Sequence, residues 1–292
     1  MHHPPLHFAK SHGLGNDFVL VEAREDISIE QWRTLAPHLC DRHRGIGADG
    51  LIVHHPSAQA DARMQIINSD GSEPEMCGNG LRTFVHYLHQ HQGFKARQRI
   101  ETGAGILSGE VVKTTARTAQ IKVQMGAPRL GASQIPALGF EDSPILNQPL
   151  ILETALNQPP HRFKVSLVSM GNPHCIVPVN KIPEDWHRLG KALMEHPQFP
   201  EQANIEFVVF HNRQRAEVKV WERGVGPTQA CGTGACAVAV AGQLLNELDT
   251  ETTIQLPGGD LFISWEGLNA PVYMTGPSEE VYSGIYALEG VL

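Results

Sequence analysis

The sequence predicts an α+β chain of two pseudo-symmetric domains, each a β-sheet wrapped around one central helix. Three observations carry that expectation. The pattern Cys-Gly-x-Gly occurs twice, at Cys77-Gly78-Asn79-Gly80 and at Cys231-Gly232-Thr233-Gly234, once in each half of the 292-residue chain. Each copy opens an apolar stretch of helical character, Leu81 to Leu88 and Ala235 to Leu248. Short strand-like segments bounded by turn residues surround both stretches. A run as apolar as Ala235 to Ala241 fits a helix buried on most faces. Sequence identity between the halves is slight outside this element, so the repeat is read from layout.

The first half opens with a strand at His7 to Lys10, a turn at Gly13 to Asp17 and a strand at Phe18 to Val21. Apolar Ile29, Trp32, Leu35, Ala36 and Leu39 recur at helical spacing, which predicts an amphipathic helix over Asp26 to Cys40. The glycine-rich loop Gly45 to Gly50 leads into a strand at Leu51 to His54, and Arg63 to Ile67 is another. The turn Asn68-Ser69-Asp70-Gly71 follows, then the first cysteine helix, ending near Gly93. Strands are expected again at Arg99 to Thr102, Ile106 to Val112 and Ala119 to Met125.

Between Gly126 and Pro160 the chain is rich in Pro, Gly, Asn and Gln, the best domain boundary. The domains are expected at 1–128 and 129–277, with the segment from about 278 to 292 returning to the first. Strands are read at Phe163 to Ser169, Cys175 to Val179, Ile205 to Val209 and Ala216 to Trp221, with a helix at Asp185 to Met194. After the second cysteine helix come strands at Thr252 to Gln255, Leu261 to Trp265 and Pro271 to Thr275.

Composition narrows the function. A net charge of -8 with no basic face argues against a nucleic-acid or anionic-membrane partner. No stretch reaches the ~18 to 20 apolar residues that span a bilayer, and no signal peptide is read at Met1 to Pro5. Five cysteines, an odd number in a large chain, fit free thiols in a cytoplasmic protein better than a disulfide framework.

A thiol at a helix N-terminus meets unpaired N–H groups and the positive end of the macrodipole, which lower a thiol pKa from ~8.5 to roughly 3.5–7.5. Two such sites facing each other place a thiolate base on one side of a carbon and a thiol acid on the other. The same N–H groups can hold a carboxylate, and glycines allow close backbone approach. Other readings of the motif are weaker. Cys231-x4-Cys236 lacks zinc-ligand spacing, because Cys236 sits inside the apolar helix, so no metal is expected. Gly232-x-Gly234-x-x-Ala237 lacks the strand and the acidic residue of a dinucleotide fingerprint. Nothing suggests a pyridoxal phosphate lysine, so no cofactor is expected. Cys40 and Cys175 read as packing residues, Asp17 and Asp70 as turn anchors, and Arg42 and Arg44 as solvated or structural. His86, His89 and His91 read as a solvated helix end.

Four blocks then carry a resemblance: His12 to Phe18, Asn68 to Gly80, Met170 to His174, and Trp221 to Gly224 followed by Ala230 to Gly234. In this order they resemble diaminopimelate epimerase over essentially the whole chain. The resemblance implies a cofactor-independent, two-base epimerisation of LL-diaminopimelate to the meso form, in a cleft between the two domains of a homodimeric enzyme. It makes Cys77 and Cys231 the acid/base pair and gives the reacting carboxylate to Gly78, Asn79, Gly232 and Thr233. Asn16, Asn68, Asn172, Asn204, Glu222 and Arg223 match the positions that line the substrate pocket, with Arg223 as a planar fork for the distal carboxylate. His174 is expected to pair with Glu222 and tune the nearby thiols. Read from the residues alone, Asn16, Asn68 and Asn172 lie at turns, where Asn is commonly structural. Two positions, Gly50 and Pro227, depart from the common family pattern toward its plant and cyanobacterial branch. Three alternatives stay open: a proline racemase or 4-hydroxyproline epimerase, a thiol redox protein using Cys77 and Cys231, and a non-catalytic binding module.

Overall fold

The computed structural model describes residues 4–74, 76–153 and 159–288. Met1 to His3, Glu75 of the motif, part of the expected linker (154–158) and the end of the returning segment (289–292) lie outside the described residues. The chain divides into two units, Met1–Gln124 with Thr275–Leu292, and Met125–Met274. Both junctions fall a few residues before the expected 128/129 and 277/278.

Unit 1 begins with β1 (Leu6–Gly13), β2 (Asn16–Glu22), α1 (Ile29–Cys40), β3 (Gly50–His55) and β4 (Ala62–Asn68). It continues with α2 (Gly78–His91), β5 (Arg97–Thr102), β6 (Gly105–Thr114) and β7 (Thr118–Gln124). The strands hydrogen-bond in chain order from β1 to β7. The returning segment supplies the strand Tyr273–Tyr286, which pairs with β1 from Leu6 to His12 and lies next to β7, so the sheet closes into a barrel. A closed sheet has no open edge, and its inward side chains need a filling. That filling is α2, whose residues from Gly78 to Leu88 are all buried and which touches β1, β2, β4, β6 and β7. The solvated helix end expected around His86 is therefore corrected. His86 is 2% exposed and its Nδ1 lies 3.0 Å from Ser278 Oγ, because the returning strand covers that face of the helix.

Helix α1 lies outside the barrel against β3 and β4. Its start is three residues later than the spacing predicts, because Ser28 caps it: Ser28 Oγ accepts from Gln31 N at 3.2 Å while Gln31 Oε1 accepts from Ser28 N at 2.8 Å. Trp32, Leu35, Ala36 and Leu39 then form its buried face.

Unit 2 contains β8 (Gln148–Leu152), β9 (His161–Ser169), β10 (Pro173–Pro178), α3 (Trp186–Met194), β11 (Asn204–Asn212) and β12 (Arg215–Glu222). The two-residue strand β13 (Gly226–Pro227), α4 (Gly232–Leu244), β14 (Glu251–Leu256) and β15 (Gly259–Ser264) follow, and the strand Tyr273–Tyr286 becomes β16. The sheet order is β15-β14-β12-β11-β10-β9-β8, with β10 and β11 parallel. Helix α4 packs against β9, β10, β11, β14 and β15, and its residues from Gly234 to Gly242 are buried. Helix α3 covers the other face, where Leu189 and Leu193 join Val177, Ile205 and Phe207 in one apolar cluster. Strand β8 falls in the stretch read as linker, because its Pro149 and flanking Asn and Gln mask a short apolar run.

Candidate active site

In unit 1 the barrel presents Cys77 at the start of α2. The thiol is the N-cap, with extended backbone (φ -141°, ψ 109°), and its sulfur accepts from Gly80 N at 3.4 Å. Asn16 reaches it from a tight hairpin. Leu14 and Gly15 both have positive φ, 56° and 90°, the two-residue geometry whose twist suits paired strands. This turn brings Asn16 opposite Gly13 at the strand end. Asn16 Nδ2 donates to Asp49 Oδ2 at 2.8 Å. Its Oδ1 faces the other way, accepting from Asn79 Nδ2 at 3.1 Å and facing Cys77 Sγ at 3.9 Å.

Behind this group stands a charged brace. Arg42 donates to Asp49 at 2.8 Å and to both oxygens of Asp17, at 3.0 and 2.8 Å. Burial works against the Asp17 carboxylate, but hydrogen bonds and charge from Arg42 and Lys10 outweigh it and hold the carboxyl well below the usual range. Asn79 Oδ1 accepts from Arg82 Nη2 at 3.0 Å, and Arg82 is fully buried with Nε on the Pro277 carbonyl at 3.3 Å. Asn68 is exposed and donates to Ser72 Oγ at 2.9 Å within its own turn. Gly50 heads β3, in register with Asn68 on β4.

In unit 2 Cys231 is likewise the N-cap of α4 (φ -108°, ψ 104°), accepting from Gly234 N at 3.3 Å. Thr233 Oγ1 lies 3.5 Å from the sulfur and Asn172 Nδ2 donates to that hydroxyl at 3.4 Å. Asn172 Oδ1 lies 3.0 Å from His174 Nε2. The imidazole does not pair with Glu222 as expected; its Nδ1 lies 2.7 Å from Glu206 Oε1, both side chains fully buried. Strand register is the reason. In the parallel β10–β11 pair His174 stands beside Asn204, and Glu206 is two residues further along the same face. Glu222 instead accepts from Thr228 Oγ1.

Electrostatics here run against the simple helix-terminus expectation. Burial raises the Cys231 thiol well above its ordinary pKa, the charges of Glu222 and Glu206 raise it further, and bonds from Thr233 and Gly234 N–H offset only part. Desolvation and two carboxylates outweigh one helix end. Burial also raises Glu222, with the Thr228 bond working the other way. Asn204 and Arg223 brace the loop after β12. Asn204 Nδ2 donates to the Pro173 carbonyl at 3.2 Å, and its Oδ1 accepts from Arg223 N at 2.8 Å. The exposed Arg223 guanidinium donates to the Glu201 carbonyl at 2.8 Å. Pro227 is exposed on β13, opposite Trp221. Donor atoms of His174, Glu206 and Cys231 all lie within 4.8 Å of one another, near enough to share a metal, but both His174 nitrogens already have partners.

Of the predicted residues, unit 1 brings together Cys77, Asn16, Gly78 and Asn79, while Asn68 keeps to its turn. Unit 2 brings together Cys231, Gly232, Thr233, Asn172 and His174, with Glu222 contributing charge, and sets Asn204 and Arg223 as neighbours. Sequence reasoning missed Glu206, Asp49, Arg82 and Thr228. A signal existed for two of them: Glu206 interrupts the apolar strand Ile205 to Val209, and Arg82 interrupts the apolar helix after Gly80.

Comparisons with known proteins show the family of the chain. The family model described as diaminopimelate epimerase matches residues 8–131 and 166–281. A relative from Heliobacterium modesticaldum named diaminopimelate epimerase is 46% identical, over 96% of this chain and 99% of its own. A cyanobacterial one, diaminopimelate epimerase 1 of a Nostoc species, is 43% identical over 96% of this chain and 99% of its own. Among solved structures, a hydroxyproline epimerase from Agrobacterium vitis with bound trans-4-hydroxy-L-proline superposes with a TM-score of 0.73. It is 14% identical and covers 99% of this chain and 94% of its own, a likeness of fold. The chain belongs to the diaminopimelate epimerase family.

Proposed function

We propose that this protein is an isomerase that interconverts LL- and meso-diaminopimelate, a step of lysine and peptidoglycan biosynthesis, by two-base proton exchange without a cofactor. The observation that carries the reading is the same construction in both units: a thiol as N-cap of a glycine-started, buried helix. One sulfur, as thiolate, removes the α-proton; the other, as thiol, gives a proton to the opposite face of the carbon. The protonated role fits Cys231 when the enzyme rests, since burial and two carboxylates keep its proton on. N–H groups at each helix start, at Gly78, Asn79, Gly232 and Thr233, stabilise the carboxylate as its α-carbon becomes enolate-like. Asn16, Asn68, Asn172, Asn204, Glu222 and Arg223 bind the rest of the zwitterionic chain. We assign the enzyme to the cytoplasm as a homodimer, on the family resemblance.

Incubation with LL-diaminopimelate in deuterated water, followed by chiral analysis, tests the reading. The wild type is expected to form the meso isomer with deuterium at the α-carbon. Cys77→Ala and Cys231→Ala are each expected to lose turnover by about 10²-fold or more. Full turnover by either variant would sink the two-base mechanism, and turnover of proline or hydroxyproline instead would favour the racemase alternative.

A further inference from the structure

Glu206 is a buried carboxylate to which the two-base reading gives only a charge near Cys231. It is 0% exposed, its Oε1 is on His174 Nδ1 at 2.7 Å, and its Oε2 has no hydrogen-bond partner among the described residues. From it a hydrogen-bonded chain runs to the thiol: Glu206 to His174, 2.7 Å; His174 to Asn172, 3.0 Å; Asn172 to Thr233, 3.4 Å; Thr233 to Cys231, 3.5 Å. The charged and titratable groups around it are Glu222 on β12, Cys175 on β10 and Cys231 on α4.

The chain can be filled with hydrogens in two ways. In one, the Asn172 amide is turned over from its orientation in the structure: Cys231 S–H donates to Thr233, the Thr233 hydroxyl to Asn172 Oδ1, Asn172 Nδ2 to His174 Nε2, and Nδ1–H to the Glu206 carboxylate. The other keeps the amide orientation of the structure. His174 Nε2–H donates to Oδ1, Nδ2 donates to Thr233, and the Thr233 hydroxyl donates to a Cys231 thiolate. The contact between Nδ1 and Oε1 then holds the proton that the sulfur has lost. Both fillings contain the same number of protons.

We propose that Glu206 is the positioning residue of this half-site: through His174 and the amide of Asn172 it lets the enzyme exchange the Cys231 thiol for a thiolate. The S–H bond breaks, and an N–H or O–H bond forms at the His174–Glu206 pair. One polar atom of each of His174, Glu206 and Cys231 lies within 4.8 Å of the others, so the two ends of the relay are close in space. Gly234 makes room for it, since a Cβ there would sit 2.8 Å from Glu206 Oε1 and 3.1 Å from Cys231 Sγ. The proposal deepens the two-base reading and rests on it.

The test compares wild type, Glu206→Gln and Glu206→Asp by steady-state kinetics and by ¹⁵N NMR of the His174 ring. Glutamine keeps the shape but cannot take up the proton. It is expected to lower kcat about tenfold or more with KM little changed, and to shift the His174 ring-nitrogen signals. Aspartate is expected to restore part of both. Unchanged kcat with unchanged His174 signals in a folded Glu206→Gln protein overturns the proposal. A wild type that exchanges no α-proton overturns the functional reading instead, and the NMR comparison still decides whether Glu206 sets the state of His174.

Discussion

Asn16 turns its amide oxygen toward Cys77 because its amide nitrogen is held 2.8 Å from the carboxylate of Asp49. A carboxylate only accepts, and on the other side Asn79 Nδ2, its own Oδ1 held by Arg82, donates to the oxygen, so the amide orientation is fixed from both ends. That oxygen can accept the proton of Cys77 when it is a thiol, while Gly80 N–H donates to the sulfur in either state. Asp49 thus helps to orient Asn16 beside Cys77, from a loop to which sequence reasoning gave no role.

Asp49→Asn removes one of the two constraints, because an amide serves Asn16 in either orientation, and leaves only the Asn79 donor holding Oδ1 in place. A donor N–H can then face the sulfur and favour the thiolate. Alkylation of Cys77 by iodoacetamide is expected to speed up, with kcat falling by about tenfold. Loss of stability is expected to stay within about 1 kcal/mol, because the Asp49–Arg42 pair is largely exposed. Peptide mass spectrometry after timed labelling measures the first effect. An unchanged Cys77 labelling rate would remove Asp49 from this role.

Buried thiols set a second expectation, for alkaline stability. Burial pushes Cys40 up to about 12, and raises Cys175 and Cys231 well above their ordinary value. An unfolded thiol ionises near ~8.5, so above that pH the unfolded chain releases protons that the folded chain keeps. Stability is therefore full below the unfolded value and declines as pH rises beyond it, by up to about 1.4 kcal/mol per pH unit for each such thiol. Urea unfolding of wild type and Cys40→Ala at about pH 8 and about pH 10.5 reads this directly. The variant is expected to show the shallower decline. Equal slopes would mean that Cys40 ionises alike in both states.

Much of this fold could be read from the sequence where local chemistry and tertiary packing agree. Helices α1, α2, α3 and α4 were visible from apolar spacing or composition, and Cys77 and Cys231 from a doubled motif in the same setting. The remainder depends on register and return of the chain. The β10–β11 pairing that gives His174 to Glu206 rather than Glu222 joins residues 32 positions apart, and no local pattern encodes it. Likewise His86 looks like part of a polar helix end until β16 covers it with Ser278. Asp49 sits in a glycine-rich loop whose sequence says only that the chain turns.

Gly80 and Gly234 hold the same place in the two motifs, and the structure sets them apart. A Cβ at Gly80 would lie 2.8 Å from Ile66 Cδ1 and 3.2 Å from Ile52 Cδ1, the far ends of flexible side chains that can rotate away. At Gly234 it would meet the fully buried carboxylate of Glu206 and the Cys231 thiol, at 2.8 Å and 3.1 Å, neither of which can move without breaking a hydrogen bond. Overpacking of a tight core costs typically ~1–3 kcal/mol, with some relief at Gly80 from alanine's better helix propensity. Gly80→Ala is therefore expected to keep most activity with a small stability change. Gly234→Ala is expected to lose kcat by about tenfold or more, even where the variant stays folded. Thermal melts and steady-state kinetics on both variants measure the contrast. Equal activity losses would mean that both glycines serve the helix start alike, and that the carboxylate at Glu206 gives the second site no special constraint.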